Sequence, residues 1–395
     1  MSDKLILGTR KGTFLLEWRG KRWQQAAHGH AGTNVAYAAH DRRTGTYWSA
    51  LDHGHWGSKL SRSTDGGQTW ADADQIKYPE GARYLEFHWA EPAPDENGAP
   101  PKPKFKDARV LKLWSMAFGT GSQPGRIYVG TIPGGLFYSD DNGDSWQLNL
   151  PLWNDQSRGG DLFTGNAEGL KQLWFGTPAS ADTGEFAAGI HSIAVNPGDP
   201  NHVIIAVSCA GVVETRDGGQ TWRPRNKGLI VDYLPNKEPE WGHDVHFLAW
   251  CQGDPRHVWH QNHIGVYYSD NGAERWQNVD DKKNGIHFGW PIAVDHNDGR
   301  TAWVVPQGAD SSRMAIDQGL FVGRSQDGGK SWQQLRKGLP QKACFDTVYR
   351  HALDNSEDRL AFGTTNGNLY VSHDRGESWS TVGNNFPPIH SVRFA

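Results

Sequence analysis

Residues Ser63–Trp70 read STDGGQTW, and Thr215–Trp222 read TRDGGQTW, the same octapeptide with two substitutions. Four looser copies follow the pattern Ser/Thr-x-Asp-x-Gly-x-Thr/Ser-Trp: SDDNGDSW (Ser139–Trp146), SDNGAERW (Ser269–Trp276), SQDGGKSW (Ser325–Trp332) and SHDRGESW (Ser372–Trp379). An Asp at the third position can accept backbone N–H bonds and cap a tight turn. The Gly at the fifth allows positive φ, and the closing Trp can lie across the hairpin. Six recurrences in one chain mean repeat architecture, and a catalytic role would demand six active sites around one molecule. The motif is therefore expected to be a structural turn.

The segments around each copy supply the rest of the repeat. Period-2 apolar stretches broken by a Gly-containing turn precede the motif, as in RIYVGTIPGGLFYS, HVIIAVSCAGVVET and RLAFGTTNGNLYVS. Upstream of these lie further short apolar segments: NVAYAAH, LWSMAFG, HSIAVNP, HFLAWCQ, WPIAVDH and DTVYRHA. Four strands per repeat make a propeller blade. KLILGTRKGTFLLEWRGKRW at the N-terminus has the same layout with a decayed motif that keeps Gly20 and Trp23, but no innermost strand precedes it. HSVRFA (His390–Ala395) matches HSIAVN (His191–Asn196) and can supply that strand by pairing with the N-terminal ones, which removes free sheet edges. The expectation is an all-β, seven-bladed β-propeller of four-stranded antiparallel blades, one domain over residues 1–395, closed by its C-terminal strand.

The formal net charge of −4, with no Lys/Arg run longer than two, argues against a nucleic-acid or anionic-membrane surface. No apolar run reaches the roughly 18 residues of a membrane span, and the start MSDKLILGT has no leader pattern, so a cytoplasmic location is expected. The three cysteines (Cys209, Cys251, Cys344) show no C-x-x-C spacing and are expected as reduced thiols.

With its six motifs and segments such as HSIAVNPGDP, HQNHIGVYYSD and GWPIAVDH, nearly the whole chain resembles the bacterial BNR/Asp-box repeat proteins, a group labelled glycosyl hydrolase or sialidase-like. The resemblance implies the propeller and says little about activity, because the motif serves glycosidases, sorting receptors and photosystem assembly factors alike. Sialidase chemistry needs three arginines, a Tyr nucleophile sharpened by Glu, and an Asp acid/base. The family's Phe/Tyr-Arg-Ile-Pro segment is absent here, where the early region reads LGTRKG, and none of Arg10, Arg83, Arg313 and Arg350 carries a motif. Sialidase propellers have six blades, against the seven expected, so true sialidase activity is rejected.

In a propeller the inter-blade connections and the turns between second and third strands share one face, and the Asp boxes occupy the other. The long insertions 71–111, 152–190, 223–244 and 306–318 all fall on the face without boxes, which is the usual binding face of a repeat protein. Aligning the innermost strands puts Asn34, Trp114, His191, His246, Trp290, Asp346 and His390 at one position around the channel mouth. His243 and Asp244 precede one of these strands and His287 another, while Arg10, His53, His55, Trp56 and His263 lie in turns on the same face.

Three readings stand for these residues. Imidazoles from different blades, with His191, His246 and His390 foremost, can bind a divalent metal such as zinc in the channel, with a carboxylate such as Asp244 or Asp346 as ligand or general base. Alternatively, His191, His246, Asp244 and Asp346 act as acid, base or ligand contacts without metal, the last two being glycosidase candidates by location together with Glu86 and Glu185. The third is polar lining of a wet channel. Trp56, Trp89, Trp114, Trp153, Trp174, Trp241 and Trp290 map to the open face, where indoles stack on sugars or pack insertions. Cys209 is expected to be a small buried residue. The function expected is a glycosyl hydrolase-like propeller, hydrolase or lyase, that acts on or binds a saccharide or other small polar ligand at the channel mouth. The alternative is a non-catalytic propeller that binds a protein partner through the same face.

Overall fold

The computed structural model describes residues 3–86, 104–155, 188–233 and 236–395. Seven four-stranded sheets form the ring, six built from consecutive strands and one in which Ile389–Phe394 lies beside Lys4–Thr9. The blades are numbered by their innermost strands: blade 1 Val35–Asp41, blade 2 Lys112–Phe118, blade 3 Ile190–Val195, blade 4 Val245–Trp250, blade 5 Gly289–Val294, blade 6 Leu353–Ser356 and blade 7 Ile389–Phe394. All ladder pairs within the blades are antiparallel, and closure pairs Leu5 with Phe394 and Leu7 with Val392. The second strands bury both faces, as in Val203–Val207, and Trp48, Trp259 and Trp303 fill the space between blades. A small hairpin, Arg83–Glu86 with Lys104–Asp107, stands on the first insertion. Among the described residues no helix is long and apolar enough to cross a membrane.

The repeated octapeptide is a turn built on its Asp. In the blade 3 copy the Asp217 carboxylate accepts from the Gln220 and Thr221 amides at 3.0 and 2.9 Å and from both flanking hydroxyls, Thr215 at 2.8 Å and Thr221 at 2.6 Å. Those donors, with the Thr221 hydroxyl foremost, hold its carboxyl down at about 2. Gly219 sits at φ 92°, a left-handed conformation that a side chain resists. The closing Trp does more than cover its own hairpin: Trp276 donates to the Arg225 carbonyl at 2.6 Å and Trp332 to the Val279 carbonyl at 2.7 Å, each tying its blade to the preceding one. Asp217→Ala is expected to cost about 1–2 kcal/mol, the size of a lost cap, in chemical denaturation, with ligand affinity unchanged where the protein stays folded.

Most innermost strands carry a β-bulge near their start. The extra residue is Ala36 in blade 1, Trp114 in blade 2, His191 in blade 3, His246 in blade 4, the Trp290–Pro291 pair in blade 5 and His390 in blade 7. A bulged residue leaves the pleat alternation and is re-aimed, which is why these side chains turn toward the channel mouth. Two expectations shift. In blade 1 the aligned residue is Ala36 rather than Asn34. In blade 6 the innermost strand is Leu353–Ser356 and not DTVYRHA: the Thr365 amide bonds Thr347 O and the Gly363 amide bonds Ala352 O, so residues 348–351 leave the ladder together. This larger excursion carries Arg350.

Candidate functional site

The mouth has two sides. On one, Asp244 stands at the end of the connection into blade 4, His246 in the bulge two residues on, and His263 in the turn between the second and third strands of that blade. Asp244 Oδ2 lies 3.4 Å from His246 Nε2 and 3.4 Å from His263 Nδ1. Its other oxygen, Oδ1, accepts the Cys209 amide at 3.2 Å and faces the Cys209 thiol at 3.6 Å. Cys209 holds φ 57°, a conformation uncommon for a side-chain-bearing residue and sustained here by the bonds to Asp244. The Tyr233 hydroxyl donates to Gly242 O at 2.7 Å and accepts the Asp244 amide at 3.1 Å.

Electrostatics divide these groups. Burial alone would raise the Asp244 carboxyl, but His246 and His263 beside it hold it well below the usual carboxylate range. The contact with Asp244 raises His263, while burial lowers His246 and His191. Burial also raises the Cys209 thiol well above its ordinary value, with Asp244 adding to the effect, so it is neutral and a poor nucleophile. The sequence reading of a small buried residue is modified in that Cys209 is partly exposed.

Arg350 occupies the centre. Its guanidinium lies 4.6 Å from the Trp114 ring and 5.0 Å from the Trp290 ring, and its Nε donates to His246 O at 2.8 Å. Burial lowers its pKa only to about 10, so it stays charged. No carboxylate among the described residues lies within ion-pair distance of it. On the far side Lys112, half-buried and lowered by that burial, lies in the fields of Asp52 and Arg350, and Asp52 accepts from Asn34 at 3.3 Å. His390 donates Nδ1–H to Val35 O at 3.0 Å and belongs to this side, near Lys112 and Arg10.

The candidates named from sequence are thus sorted. The structure brings Asp244, His246 and His263 together with His191 alongside, whose ring meets Trp114 edge-on at 5.4 Å. Asp346 is elsewhere engaged: its carboxylate accepts from Thr364 at 2.9 Å and from Asn368 at 2.9 and 3.0 Å, bracing its own blade. His243 bonds Pro239 O at 2.7 Å and His287 bonds Asp280 at 2.7 Å, both away from the Asp244 group. His53 accepts the His55 and Trp56 amides within a tight turn, which leaves Trp56 71% exposed. Trp114 and Trp290 present ring faces to Arg350, and Trp290 also stacks on His246 at 4.1 Å, so both hold protein groups. Trp153 and Trp241 are buried packing residues. Glu185, Trp89 and Trp174 lie outside the described residues, as does the Glu86 side chain.

Sequence reasoning named Arg350 only among four motif-free arginines and missed Lys112, Asp52 and Tyr233. The available signal for Arg350 was the broken alternation of DTVYRHA, in which Tyr-Arg-His separates Val348 from Ala352. Farther down the channel a cavity lined by Tyr37, Phe118, Phe247, Asp354 and Arg393 opens toward the other face. Arg393 there donates to the Tyr37 hydroxyl and to the His351 carbonyl, so that end satisfies its own charge-bearing group.

These features define a closed repeat propeller with boxes on one face and a charged mouth on the other. The BNR/Asp-box repeat family matches residues 137–148 and 370–381. The chain is a seven-bladed β-propeller that carries BNR/Asp-box repeats. No curated protein is similar enough to count as a match. Among solved structures it is similar to an ancestral GH74 enzyme, at 16% identity and TM-score 0.54, with 88% of this chain and 38% of that one covered; the chain spans little over a third of that enzyme's length. It is also similar to a Bacteroides uniformis protein provisionally described as a 6-phosphogluconolactonase, at 10% identity and TM-score 0.52, with 100% of both chains covered. YCF48 from Cyanidioschyzon merolae follows at 16% identity and TM-score 0.49, covering 94% of this chain and 95% of that one. At these identities the likenesses speak to fold alone.

Proposed function

We propose that the channel mouth binds a small anionic polyhydroxy ligand, such as a sugar acid or a sugar phosphate, and that the protein acts on it as a hydrolase or lyase. The observation that carries this reading is Arg350: a guanidinium clamped between two indoles, charged, and without a carboxylate in contact among the described residues. The guanidinium is only partly exposed and lies in the field of Asp244 without touching it, and its planar fork suits a carboxylate or phosphate. Lys112, its amine lowered by burial and near Asp52, lies on the other side of the mouth. Asp244 and its imidazoles stand beside the anion position and supply the reactive end of the site.

The test is a ligand panel of aldonic and uronic acids, sugar phosphates, lactones and neutral sugars, read by thermal shift, calorimetry and product analysis. Acidic members are expected to bind and Arg350→Met to weaken them at least ~30-fold, the worth of a charge-assisted hydrogen-bond pair. Equal binding of neutral sugars, or an unaffected variant, defeats the reading. A second reading rests on the exposed Trp56, Ile230, Tyr233, Phe345 and Tyr349, all on loops of the mouth face, which suit a protein partner. In that case the panel is silent and substitutions of these side chains, rather than of Arg350, abolish partner binding.

A further inference from the structure

We propose that Asp244, His246 and His263 form a binding site for one divalent first-row metal ion, of the zinc type, set beside the Arg350 cation. The inference deepens the anion reading by naming what can share the bound ligand with Arg350, and it stands on different atoms. The three side chains each offer one ligand atom, all within 4.8 Å of one another. The two Asp244 Oδ2 separations of 3.4 Å match the edge of a coordination tetrahedron, which is about 3.4 Å for metal–ligand bonds of about 2.1 Å. They are long for charge-assisted hydrogen bonds, which run ~2.7–2.9 Å.

Proton bookkeeping at His246 points the same way. Its Nδ1 lies 2.6 Å from Gly289 O, and a carbonyl only accepts, so Nδ1 carries the proton. His246 Nε2 then faces Asp244 Oδ2 at 3.4 Å, too long for a charge-assisted hydrogen bond, so the two atoms meet without one. That Nε2 is fully buried, with no hydrogen-bond partner among the described residues. A cation between the two atoms satisfies both.

The surrounding groups have the form that ligating residues require. An Nδ1–H to backbone carbonyl bond is the usual way a metal-bound imidazole is oriented, and stacking on Trp290 at 4.1 Å fixes the ring plane. Asp244 keeps its second oxygen on the Cys209 amide, leaving Oδ2 for the ion. Two imidazoles and one carboxylate suit zinc, iron or manganese and leave coordination positions for a ligand. Of the ligands expected from sequence, His246 and the Asp244 carboxylate are in the set, and His263 takes the place of the other two imidazoles. His191 is near without being in it, and His390 is across the mouth with Lys112.

The experiment is elemental analysis of untagged protein followed by calorimetric titration of the chelator-treated protein with Zn²⁺, and with Co²⁺ as a spectroscopic probe. One equivalent is expected, with His263→Ala and Asp244→Asn each lowering Zn²⁺ affinity at least ~100-fold, beyond what loss of a supporting bond does. His263 is half-exposed, so His263→Ala is expected to fold with an unchanged thermal midpoint. Absence of stoichiometric binding to the wild type, or variants within threefold of it, overturns the proposal. Arg350→Met separates the two readings: it is expected to retain Zn²⁺ and lose the sugar acids. Sugar-acid binding that persists without any Zn²⁺ site overturns the metal alone, while Zn²⁺ binding with Arg350→Met indifferent to sugar acids overturns the anion reading alone.

Discussion

Removal of residues 389–395 is expected to abolish cooperative folding, because it takes the innermost strand out of blade 7 and reopens the ring. Ile389, Val392 and Phe394 are buried to 5% exposure or less. At about 1.5–3 kcal/mol each their loss amounts to roughly 4.5–9 kcal/mol, comparable with the whole stability of a typical domain. The polar losses add to this. Arg393 donates to the carbonyl of His351 at 2.8 Å, Ser391 accepts the Ala38 amide at 3.0 Å, and the Phe394 amide bonds Asp354 at 2.8 Å, so one strand links blades 1, 6 and 7. The edge of Lys4–Thr9 is left unpaired and open to association. Thermal unfolding with size-exclusion chromatography checks this; a monomeric truncated chain with a midpoint within a few degrees of the full protein contradicts it.

Glu214→Ala is expected to be the most damaging single substitution away from the mouth, at about 3–5 kcal/mol. Glu214 is fully buried in the third strand of blade 3. It accepts from His202 at 2.8 Å, from Arg216 Nε at 2.9 Å and from Arg225 Nε at 2.7 Å. Truncation strands Arg225 and His202 without their anion, and the cavity adds to the cost. Burial alone would raise the Glu214 carboxyl, but the His202 and Arg225 bonds outweigh it and the net shift is downward. A carboxyl lowered in the folded state contributes stability that is complete above its unfolded value of about 4.3 and is lost as pH falls through the folded one. The stability gap between wild type and Glu214→Gln is therefore expected to be constant above about pH 5 and to shrink below about pH 4. Urea titrations across that range measure it, and a gap that widens on acidification is the opposite result.

The seven blades, their closure and the box geometry were legible in the chain, because each rests on local physics repeated many times. The Ser/Thr, Asp and Gly of a box form their turn from eight consecutive residues, and period-2 apolar strands between such turns pack in few ways. HSVRFA matched HSIAVN because both are innermost strands, so even the longest-range pairing had a sequence counterpart. The mouth was legible as a place, since loop length and blade topology fix the face that carries the insertions.

Which side chains meet there was decided by tertiary structure. His246 and His263 reach Asp244, whereas His243 and His287, equally close to it in the sequence pattern, turn to Pro239 and Asp280. For His246 the difference lies in a single-residue bulge that re-aims its side chain, and a bulge depends on the partner strand's ladder rather than on its own residues; His263 arrives on a turn of the same blade. Arg350 shows the limit most clearly: a blade 6 excursion brings it against indoles of blades 2 and 5 and a carbonyl of blade 4, contacts that exist only after the ring closes.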